Sequence, residues 1–427
     1  MADTLNFKKI ALWLGLAALV SLPLVWVFGW SSALEPIAVV AVIGIAWGIG
    51  GSAALRSYQY TAWIIAAIVC GMLYPQAFLK WGEFDLRNKW VVLVVVQLVM
   101  FGMGTQMSLK DLANVRSMGK GVLVGILCQF SIMPLVGYGL TRIFHFEPEI
   151  AAGIILIGSC SSGLASNVMV YLAKANLTLS VTLTAVATLL APVMTPFWMK
   201  VLAGTYVEVK FWDMCIQIVQ IVIVPIGAAM LYDVFKSDNT AWKRALNLVV
   251  IIACIWFLLL LFGGGQYMGE RIPEGAFVFV ELFSFLLGAV VVGKLYYLAT
   301  TFYNGIRNWM PVLSMFGIVY FTVVTTAASR ENILAVGLLM LLVSILHNSL
   351  GYLLGYSFSR LLGMNKNDCR TIALEVGLQN GGMASGLAGV MGKLATLGLA
   401  AAVFSPWMNI SGSLLGNFWR RRGVEEH

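Results

Sequence analysis

The sequence predicts an all-α polytopic membrane protein with about fourteen transmembrane helices. Of its 427 residues, 60% are hydrophobic and only 11% are charged, and the mean hydropathy is +0.89. Apolar runs of about 20 residues, the length that crosses a bilayer as a helix, recur along the whole chain. The net charge of +8 does not indicate nucleic acid, because the 27 Lys and Arg residues are scattered between apolar runs. The lipid bilayer is the expected partner.

The apolar runs define the predicted helices in order. They lie at about residues 10–30, 34–54, 60–79, 89–107, 119–143, 149–173, 177–202, 212–234, 244–263, 276–297, 309–328, 332–361, 370–390 and 395–419. The first run follows Lys8 and Lys9 and is longer than the roughly 7 to 15 apolar residues of a signal peptide, which favours a retained helix over a cleaved signal. Several runs are long enough to tilt or to contain a break.

The distribution of basic residues predicts the orientation. When the N-terminus is placed inside, two thirds of the Lys and Arg residues, Arg56 among them, fall in inner segments. This positive-inside asymmetry predicts an inner (plasma) membrane protein with both termini in the cytoplasm.

The chemistry-bearing residues exclude several classes of protein. The six cysteines have no paired spacing, so they are interpreted as packing residues, and the three histidines form no cluster with them. A transition-metal site is therefore not expected. The chain also lacks a recognisable Ser-His or paired-Asp constellation, so no catalytic residues are assigned and an enzyme is not expected.

The stretch Thr371 to Gly386 is the strongest functional signal. It lies in an apolar run, yet it contains Glu375, Gln379, Asn380 and a pair of glycines. A carboxylate at the centre of a membrane helix costs roughly 2.5 to 3.5 kcal/mol on insertion scales. Such a sequence is tolerated where the backbone unwinds to line a cavity or hold an ion. We therefore predict a broken helix that forms part of a cation-coupled transport site.

An internal repeat provides this stretch with a partner. Three collinear matches relate the two halves of the chain: residues 137–142 with 355–360, 158–166 with 377–385, and 191–195 with 405–409. In the predicted topology the leading helices, 119–143 and 332–361, run in opposite directions, so the repeats are inverted. Inverted repeats whose matching helices are interrupted by Gly and polar residues indicate a secondary transporter with its site at the repeat interface.

At these residues the chain resembles the bile acid:sodium symporter family. The resemblance covers most of residues 60–235 and 305–420. The motifs that carry it are Phe101–Gly104, Gln129–Pro134, Ala165–Met169, Leu177–Thr184, Glu375–Asn380 and Asn409–Ser413. The chain departs from relatives at Ser161–Leu164, where they usually have Pro-Gly-Gly-Thr, and at Met408, where many have His.

The resemblance implies a fold of two inverted five-helix repeats, divided into a core domain with two crossing discontinuous helices and a panel domain. Two additions interrupt this pattern, each a pair of helices. The predicted units are 1–58, two extra N-terminal helices; 59–236, the first inverted repeat; 237–305, an inserted pair; and 306–427, the rest of the second repeat and the C-terminal tail. The extra helices offer a surface for regulation or homo-oligomerisation.

The resemblance also implies two Na⁺ sites. The first would use Ser166, Asn167, Ser180, Thr184 and Glu375. The second would use Gln129, Glu375, Gln379 and the backbone carbonyls of Val376 and Leu378. Ser180 and Thr184 are four residues apart and so share a helix face, as common ligands require. Glu375 would bridge both ions. Another buried-looking acid, Glu281, has no Gly, Gln or Asn after it and is interpreted as interfacial or helix-packing.

The expected substrate is an organic anion. The start of the second half-helix, near Leu164 and Ala165, would present free amides and a positive dipole end. Asn380 and Asn409 could add hydrogen bonds, and the absence of an arginine there favours a monoanion such as a bile-acid-like or small carboxylate compound. The sequence thus predicts sodium-coupled import by alternating access. Proton coupling and a transporter-derived membrane sensor or receptor are the alternatives.

Overall fold

The computed structural model describes residues 2–52, 55, 58–108, 110–111 and 114–422. The predicted end of the second span at residue 54, the basic residue Arg56 and the tail 423–427 lie outside the described residues. The described chain is almost entirely helical, and its one sheet is a two-stranded hairpin. The predicted all-α class is confirmed.

The helices follow the predicted apolar runs closely. They are α1 (Ala2–Val27), α2 (Ser31–Ile49), α3 (Gln59–Leu73), α4 (Pro75–Leu79), α5 (Lys89–Gly104), α6 (Gly119–Ile143), α7 (Pro148–Ser159), α8 (Leu164–Leu172), α9 (Leu177–Trp198), α10 (Phe211–Ile218), α11 (Val224–Lys236), α12 (Thr240–Leu259), α13 (Gly265–Arg271), α14 (Glu274–Phe302), α15 (Ile306–Ala328), α16 (Arg330–Leu361), α17 (Lys366–Gly377), α18 (Gly381–Val390) and α19 (Leu399–Arg421). Short π-helical turns continue α9 through Met199–Ala203, join α10 to α11 through Val219–Ile223 and join α12 to α13 through Leu260–Gly264.

Each of the fourteen predicted runs corresponds to a continuous, bent or broken helix. Within the described part of the chain, nine of them are individually long and apolar enough to cross a membrane. The other five are α3, α5, the two interrupted runs α7–α8 and α17–α18, and α19, which carries polar residues toward the protein interior. Asparagine side chains accept backbone N–H bonds at the starts of several helices, the usual N-cap chemistry. These caps are Asn88, Asn176, Asn239, Asn365 and Asn380.

The third predicted run is shorter as a helix than its apolar length suggests. Helix α3 stops at Leu73, because Tyr74 precedes Pro75 and adopts a non-helical conformation with φ −123° and ψ 58°. Helix α4 is followed by strands β1 (Lys80–Trp81) and β2 (Phe84–Asp85), whose turn uses Gly82 at φ +62°. Hydrogen bonds from the Arg87 guanidinium lower the pKa of the Asp85 carboxyl to about 2.

Helix packing divides the molecule into two groups. The core consists of α6, α7, α8, α9, α16, α17 and α19, which pack mainly against one another, together with α18, which packs on α7 and α19 and also on the panel. The panel consists of α3, α5, α10, α11 and α15, of which α5 lies against α18 and α15 against α18 and α19. The core and panel layers expected from the family fold are therefore present.

Close contacts at matching positions confirm the internal repeat. In the first copy, Gly137 faces the Ile154 carbonyl, and Gly158 faces the Met133 carbonyl. At the matching places of the second copy, Gly355 faces the Ala373 backbone, and the Cα of Gly377 lies 3.1 Å from the Cβ position of Gly351. Small residues permit such close helix approach. The glycines shared by the two copies thus define the same helix crossing twice.

The four helices predicted as additions pack on the panel side. Helix α1 packs on α2, and α2 packs on α3; α14 packs on both α12 and the panel helix α11. Glycines allow these approaches, because a Cβ at Gly15 would lie 2.6 Å from the Ile45 nitrogen and one at Gly293 would lie 2.7 Å from the Ala228 carbonyl. These four helices therefore extend the panel and leave the crossing of the broken helices to the core.

The contact between α18 and α5 predicts a test of the core–panel interface. A Cβ added at Gly386 would lie 2.3 Å from Val96 Cγ2 on the panel. Gly386→Ala should therefore lower the free energy of unfolding by about 1 to 3 kcal/mol through overpacking. Thermal unfolding of the purified protein measures the effect, and adding Val96→Ala to the same chain should restore much of the loss.

Gly139→Ala is the matched control, because this helical glycine has open space where the methyl group would go. Equal melting temperatures for Gly386→Ala and Gly139→Ala would contradict the proposed steric fit at the interface.

Candidate cation site

The two broken helices cross at their breaks. The first break lies between Ser159 and Leu164, and the second lies between Gly377 and Gly381. Ser162 and Gln379 form an antiparallel β-bridge between the breaks. The backbone N–H of Asn380 also donates to the Ser161 carbonyl at 2.9 Å. Backbone groups that the breaks free from helical bonding thus satisfy one another, as burial at membrane depth requires. The prediction of crossing discontinuous helices is confirmed.

Glu375 lies in the last turn of α17 and is only 2% exposed. Its Oε2 accepts hydrogen bonds from Ser162 at 2.5 Å and Thr184 at 2.9 Å, and its Oε1 accepts one from Ser180 at 2.5 Å. Helices α9 and α17 and the first break therefore all contribute to its surroundings. A buried carboxylate is strongly unfavourable without such partners.

Asn167 completes this first cluster. Its Oδ1 lies 2.7 Å from Ser180 Oγ and 3.3 Å from Thr184 Oγ1. Ser180 and Thr184 project from the same face of α9, as their spacing predicts. Ser166 is also buried, but its hydroxyl donates to the Gly163 carbonyl at 2.7 Å. The structure thus brings Asn167, Ser180, Thr184 and Glu375 into direct contact and has Ser166 beside Asn167 on α8.

This first cluster contains more oxygen–oxygen contacts than it has hydroxyl hydrogens to form hydrogen bonds. The hydroxyls of Ser162, Ser180 and Thr184 make six oxygen–oxygen contacts of 2.5 to 3.4 Å with one another, Asn167 and Glu375. Each hydroxyl has a single hydrogen to donate, so three hydrogens serve six contacts. Protonation of Glu375 would add one more. A cation can complete such an arrangement, because it attracts every oxygen at once.

The residues expected at a second ion site form a separate cluster. Gln129 Nε2 donates to Gln379 Oε1 and to the Cys160 carbonyl, both at 3.0 Å, and Gln379 Nε2 donates to the Val376 carbonyl at 2.6 Å. Leu378 has an extended backbone at the end of α17. Gln129 Oε1 is buried and has no hydrogen-bond partner among the described residues.

The described side chains include no hydrogen bond between the Glu375 carboxylate and Gln129 or Gln379. The hydrogen bonds of Glu375 all lead to the first cluster. Its role as a ligand shared by two ions therefore stays a prediction.

The residues expected to contact substrate lie around the same crossing. Leu164 and Ala165 are half-buried at the start of α8, whose N-cap residue is Gly163 and provides no side-chain cap. Asn380 is buried and caps α18 through the Met383 amide at 3.0 Å. Asn409 is also buried and donates to the Ser405 carbonyl of its own helix at 2.8 Å. The start of α8 thus has no side-chain cap, whereas both asparagines make local bonds, and contact of these residues with substrate stays a prediction.

Two buried polar residues on α16 support the breaks. His347 Nε2 lies 2.9 Å from the Met133 carbonyl, and the ring packs beside Gly158. Asn348 Nδ2 donates to the Gly377 carbonyl at 2.6 Å, and its Oδ1 accepts from Ser411 at 2.5 Å. Asn348 thereby satisfies a carbonyl at the very end of α17, one residue before the chain becomes extended.

A pair of equivalent contacts fixes the outer ends of the broken helices. Glu149, in the first turn of α7, accepts from Lys393 at 2.8 Å and from Thr396. Asp368, in the first turn of α17, accepts from Asn176 at 2.8 Å. Each acid thus holds the segment that follows the other broken helix.

Both α8 and α18 also end in the same left-handed turn. Lys174 at φ +53° terminates α8, and Gly392 at φ +72° terminates α18. In each case the next amide bonds back to the helix, from Ala175 to Val170 and from Lys393 to Ala388. The inverted repeat therefore extends to the ends of both broken helices.

Sequence reasoning missed Ser162 as a member of the first cluster. Its hydroxyl contacts Glu375, which is 213 residues away in the chain. The departure at Ser161–Leu164 marked the right segment, but no periodicity indicates which of two adjacent serines faces the carboxylate.

Inverted repeats, two crossing half-helix pairs and an oxygen-rich buried cluster define the architecture of a secondary transporter. The model of the Sodium Bile acid symporter family matches residues 93–268. The uncharacterized sodium-dependent transporter YocS of Bacillus subtilis (strain 168) is 31% identical over 361 residues, covering 84% of this chain and 90% of that protein. This chain belongs to the Sodium Bile acid symporter family. It is accordingly a multi-pass membrane protein of a sodium-dependent transporter family, and not an enzyme.

More distant relatives come from plants and animals. The probable sodium/metabolite cotransporter BASS1, chloroplastic, of Arabidopsis thaliana is 28% identical, covering 87% of this chain and 75% of that protein. The ileal sodium/bile acid cotransporter of Cricetulus griseus is 27% identical, covering 68% of this chain and 66% of that protein. The names of these relatives describe different organic cargoes, so family membership by itself leaves the substrate open.

The bonds of Asn348 predict a structural role that is separable from ion binding. Asn348→Ala would leave the buried Gly377 carbonyl without its side-chain donor, which should cost about 1 to 3 kcal/mol of unfolding free energy. Thermal unfolding without sodium measures this loss. Asn247→Ala is the control, since Asn247 pairs with Lys294 at an exposed position and should change the melting temperature little. Similar shifts for both variants would contradict the assignment.

Proposed function

We propose that the protein is a sodium-coupled symporter that imports an organic monoanion, bile-acid-like or a small carboxylate compound, by alternating access. The observation that carries the proposal is the cluster of oxygens around the buried Glu375 carboxylate. Sodium is a hard cation that prefers carboxylate, hydroxyl and carbonyl oxygens. Ser166, Asn167, Ser180, Thr184 and Glu375 supply that chemistry for a first ion.

A second sodium ion would use the neighbouring cluster. The unpartnered Gln129 Oε1 supports this, because a buried amide oxygen without a donor suits a cation. Gln379 Oε1 and the carbonyls of Val376 and Leu378 would add further oxygens. Glu375 would need a carboxylate oxygen to turn from its present hydroxyl partners to become a ligand shared by both ions.

The organic anion would bind beside the first ion. The amides at Leu164 and Ala165 begin α8, and Asn167, a proposed ion ligand, lies on the first turn of the same half-helix. Sodium binding at Asn167 would therefore order the helix end that meets the anion, which couples the two ligands. Asn380 and Asn409 would reorient to contact the substrate. The cotransporters of organic compounds among the relatives support this substrate class.

A monoanion is favoured over a dianion by the positions of the arginines. Among the described side chains that are buried, the one arginine is Arg370, which lies at the start of α17 and donates to the Arg422 carbonyl at 3.0 Å. Arg370 therefore makes its hydrogen bond near the beginning of α17 and not at the crossing of the broken helices. We place the protein in the inner (plasma) membrane with both termini in the cytoplasm, as the positive-inside asymmetry predicts.

The proposed binding of sodium should stabilise the folded state of the purified protein against thermal unfolding. A ligand that binds the folded state adds RT ln(1 + [L]/Kd), which is about 2.7 kcal/mol at one hundred times Kd. Raising NaCl while lowering choline chloride at constant ionic strength and fixed pH should therefore raise the melting temperature. A screen of organic acids should then identify compounds whose stabilisation requires sodium. Equal stabilisation by choline would contradict sodium binding, and a dependence on pH alone would favour the proton-coupled alternative.

Removal of the carboxylate charge should abolish sodium coupling. Glu375→Gln keeps the shape of the side chain but removes the negative charge that attracts the ion. We expect sodium-driven uptake of the acid identified in the screen to fall to background in proteoliposomes. Glu281→Gln is the matched control, because Glu281 lies within α14 and is exposed.

Normal sodium-driven uptake by Glu375→Gln would refute the assignment of the ion site. Ligand binding without any transport by the wild-type protein would instead favour a sensor or receptor derived from a transporter.

A further inference from the structure

Ser162 occupies a position at which the two proposed ion sites meet. Its hydroxyl donates to Glu375 Oε2 at 2.5 Å and lies 3.4 Å from Thr184 Oγ1. Its backbone forms the bridge with Gln379, a residue of the second cluster. The side chain is 1% exposed, so bulk water does not solvate this hydroxyl. Ser162 therefore contacts both clusters from within the first break.

We propose that the Ser162 hydroxyl is an additional ligand of the sodium ion held by Glu375 and that it raises the affinity of this site for sodium. The inference rests on the proposed sodium-coupled function and extends it to a residue outside the expected ligand set.

The hydroxyls near Glu375 differ in whether they bond to the backbone, and Ser166 would have to leave the Gly163 carbonyl to reach the ion. Ser and Thr side chains in membrane helices commonly bond to a carbonyl one turn earlier. Ser159 does so with Ile155, and Thr188 does so with Thr184, each at 2.7 Å. Ser162 has no such bond within the described chain, and it lies in the break, where the backbone is extended after α7 ends. Its oxygen is directed at the carboxylate instead.

Ser180 and Thr184 have the same property. Their hydroxyls contact side-chain oxygens of Asn167 and Glu375 rather than backbone carbonyls. The three hydroxyls together converge on the two carboxylate oxygens from the first break and from α9. Small hard cations are surrounded by about six oxygens, so each added oxygen that is already in position strengthens binding. Ser162 supplies one such oxygen without any rearrangement of a helix.

The test compares Ser162→Ala with Ser161→Ala in the purified full-length protein. Ser161 is the matched control, since it is adjacent and equally buried, but its hydroxyl lies near Thr188 and Met383 rather than Glu375. The probe is NaCl titrated against choline chloride at fixed pH, and the readout is the sodium concentration that gives half of the maximal thermal stabilisation. We expect Ser162→Ala to raise this concentration about ten-fold, and Ser161→Ala to leave it within about two-fold.

The variant Ser162→Cys distinguishes the loss of an ion ligand from a disturbance of side-chain packing. It keeps the shape of the side chain, with a somewhat larger terminal atom, but replaces the oxygen with soft sulfur, which is a poor ligand for sodium. The same rise for Ser162→Cys supports ligation. An unchanged sodium titration in both Ser162 variants, with a normal response of the wild type, overturns this inference and leaves the proposed function standing. No sodium response in the wild type overturns both.

Discussion

The buried carboxylate of Glu375 is the constraint on which the rest of the structure depends. A lone charge among apolar side chains costs several kcal/mol, and the cost is tolerated when polar groups compensate for it. In a regular helix the backbone oxygens and amides hydrogen-bond to one another, so they cannot compensate a buried charge. The two breaks solve this problem, because they bring the Ser162 hydroxyl to the carboxylate and pair the freed backbone groups of one break with those of the other. The first break thereby adds one hydroxyl to the two that the unbroken helix α9 directs at the carboxylate.

The inverted repeat explains why one such charge suffices. Equivalent acids, Glu149 and Asp368, hold the ends of the broken helices on opposite sides of the crossing. Equivalent glycines set the packing of α6 on α7 and of α16 on α17. The second copy departs from symmetry at the break itself, where Glu375 has its counterpart in Leu156. A common scaffold is thus used twice, and a single functional charge is placed on one copy.

Much of the fold could be predicted because hydrophobicity and repetition are properties of the chain itself. The fourteen apolar runs, the crossing half-helices and the packing glycines all left a local or repeated pattern. Pro75 also indicates that α3 ends just before it, but the apolar run continues past Pro75 and led to the prediction of a longer helix. The site was predictable in part for the same reason: Glu375 stands out as an acid among apolar residues. Ser162 does not stand out, because its importance comes from a carboxylate brought near by the crossing and not from its neighbours in sequence.

The location of the extra helices separates their influence from ion binding. Helices α2 and α14 pack on the panel, through α3 and α11, whereas Glu375, Asn167 and Ser162 belong to the core. A change in the extra helices can reach the ion cluster through the panel–core surface, where α5 meets α18 near Gly386 and Gly389. That surface is formed by backbone against valine side chains and contains few polar groups, so its packing depends on shape rather than on directional bonds. Sliding along it would cost little hydrogen-bond energy, while the crossing inside the core is held by such bonds. The proposed alternating access would therefore use motion between the layers, with the panel as the frame and the ion cluster carried within the core.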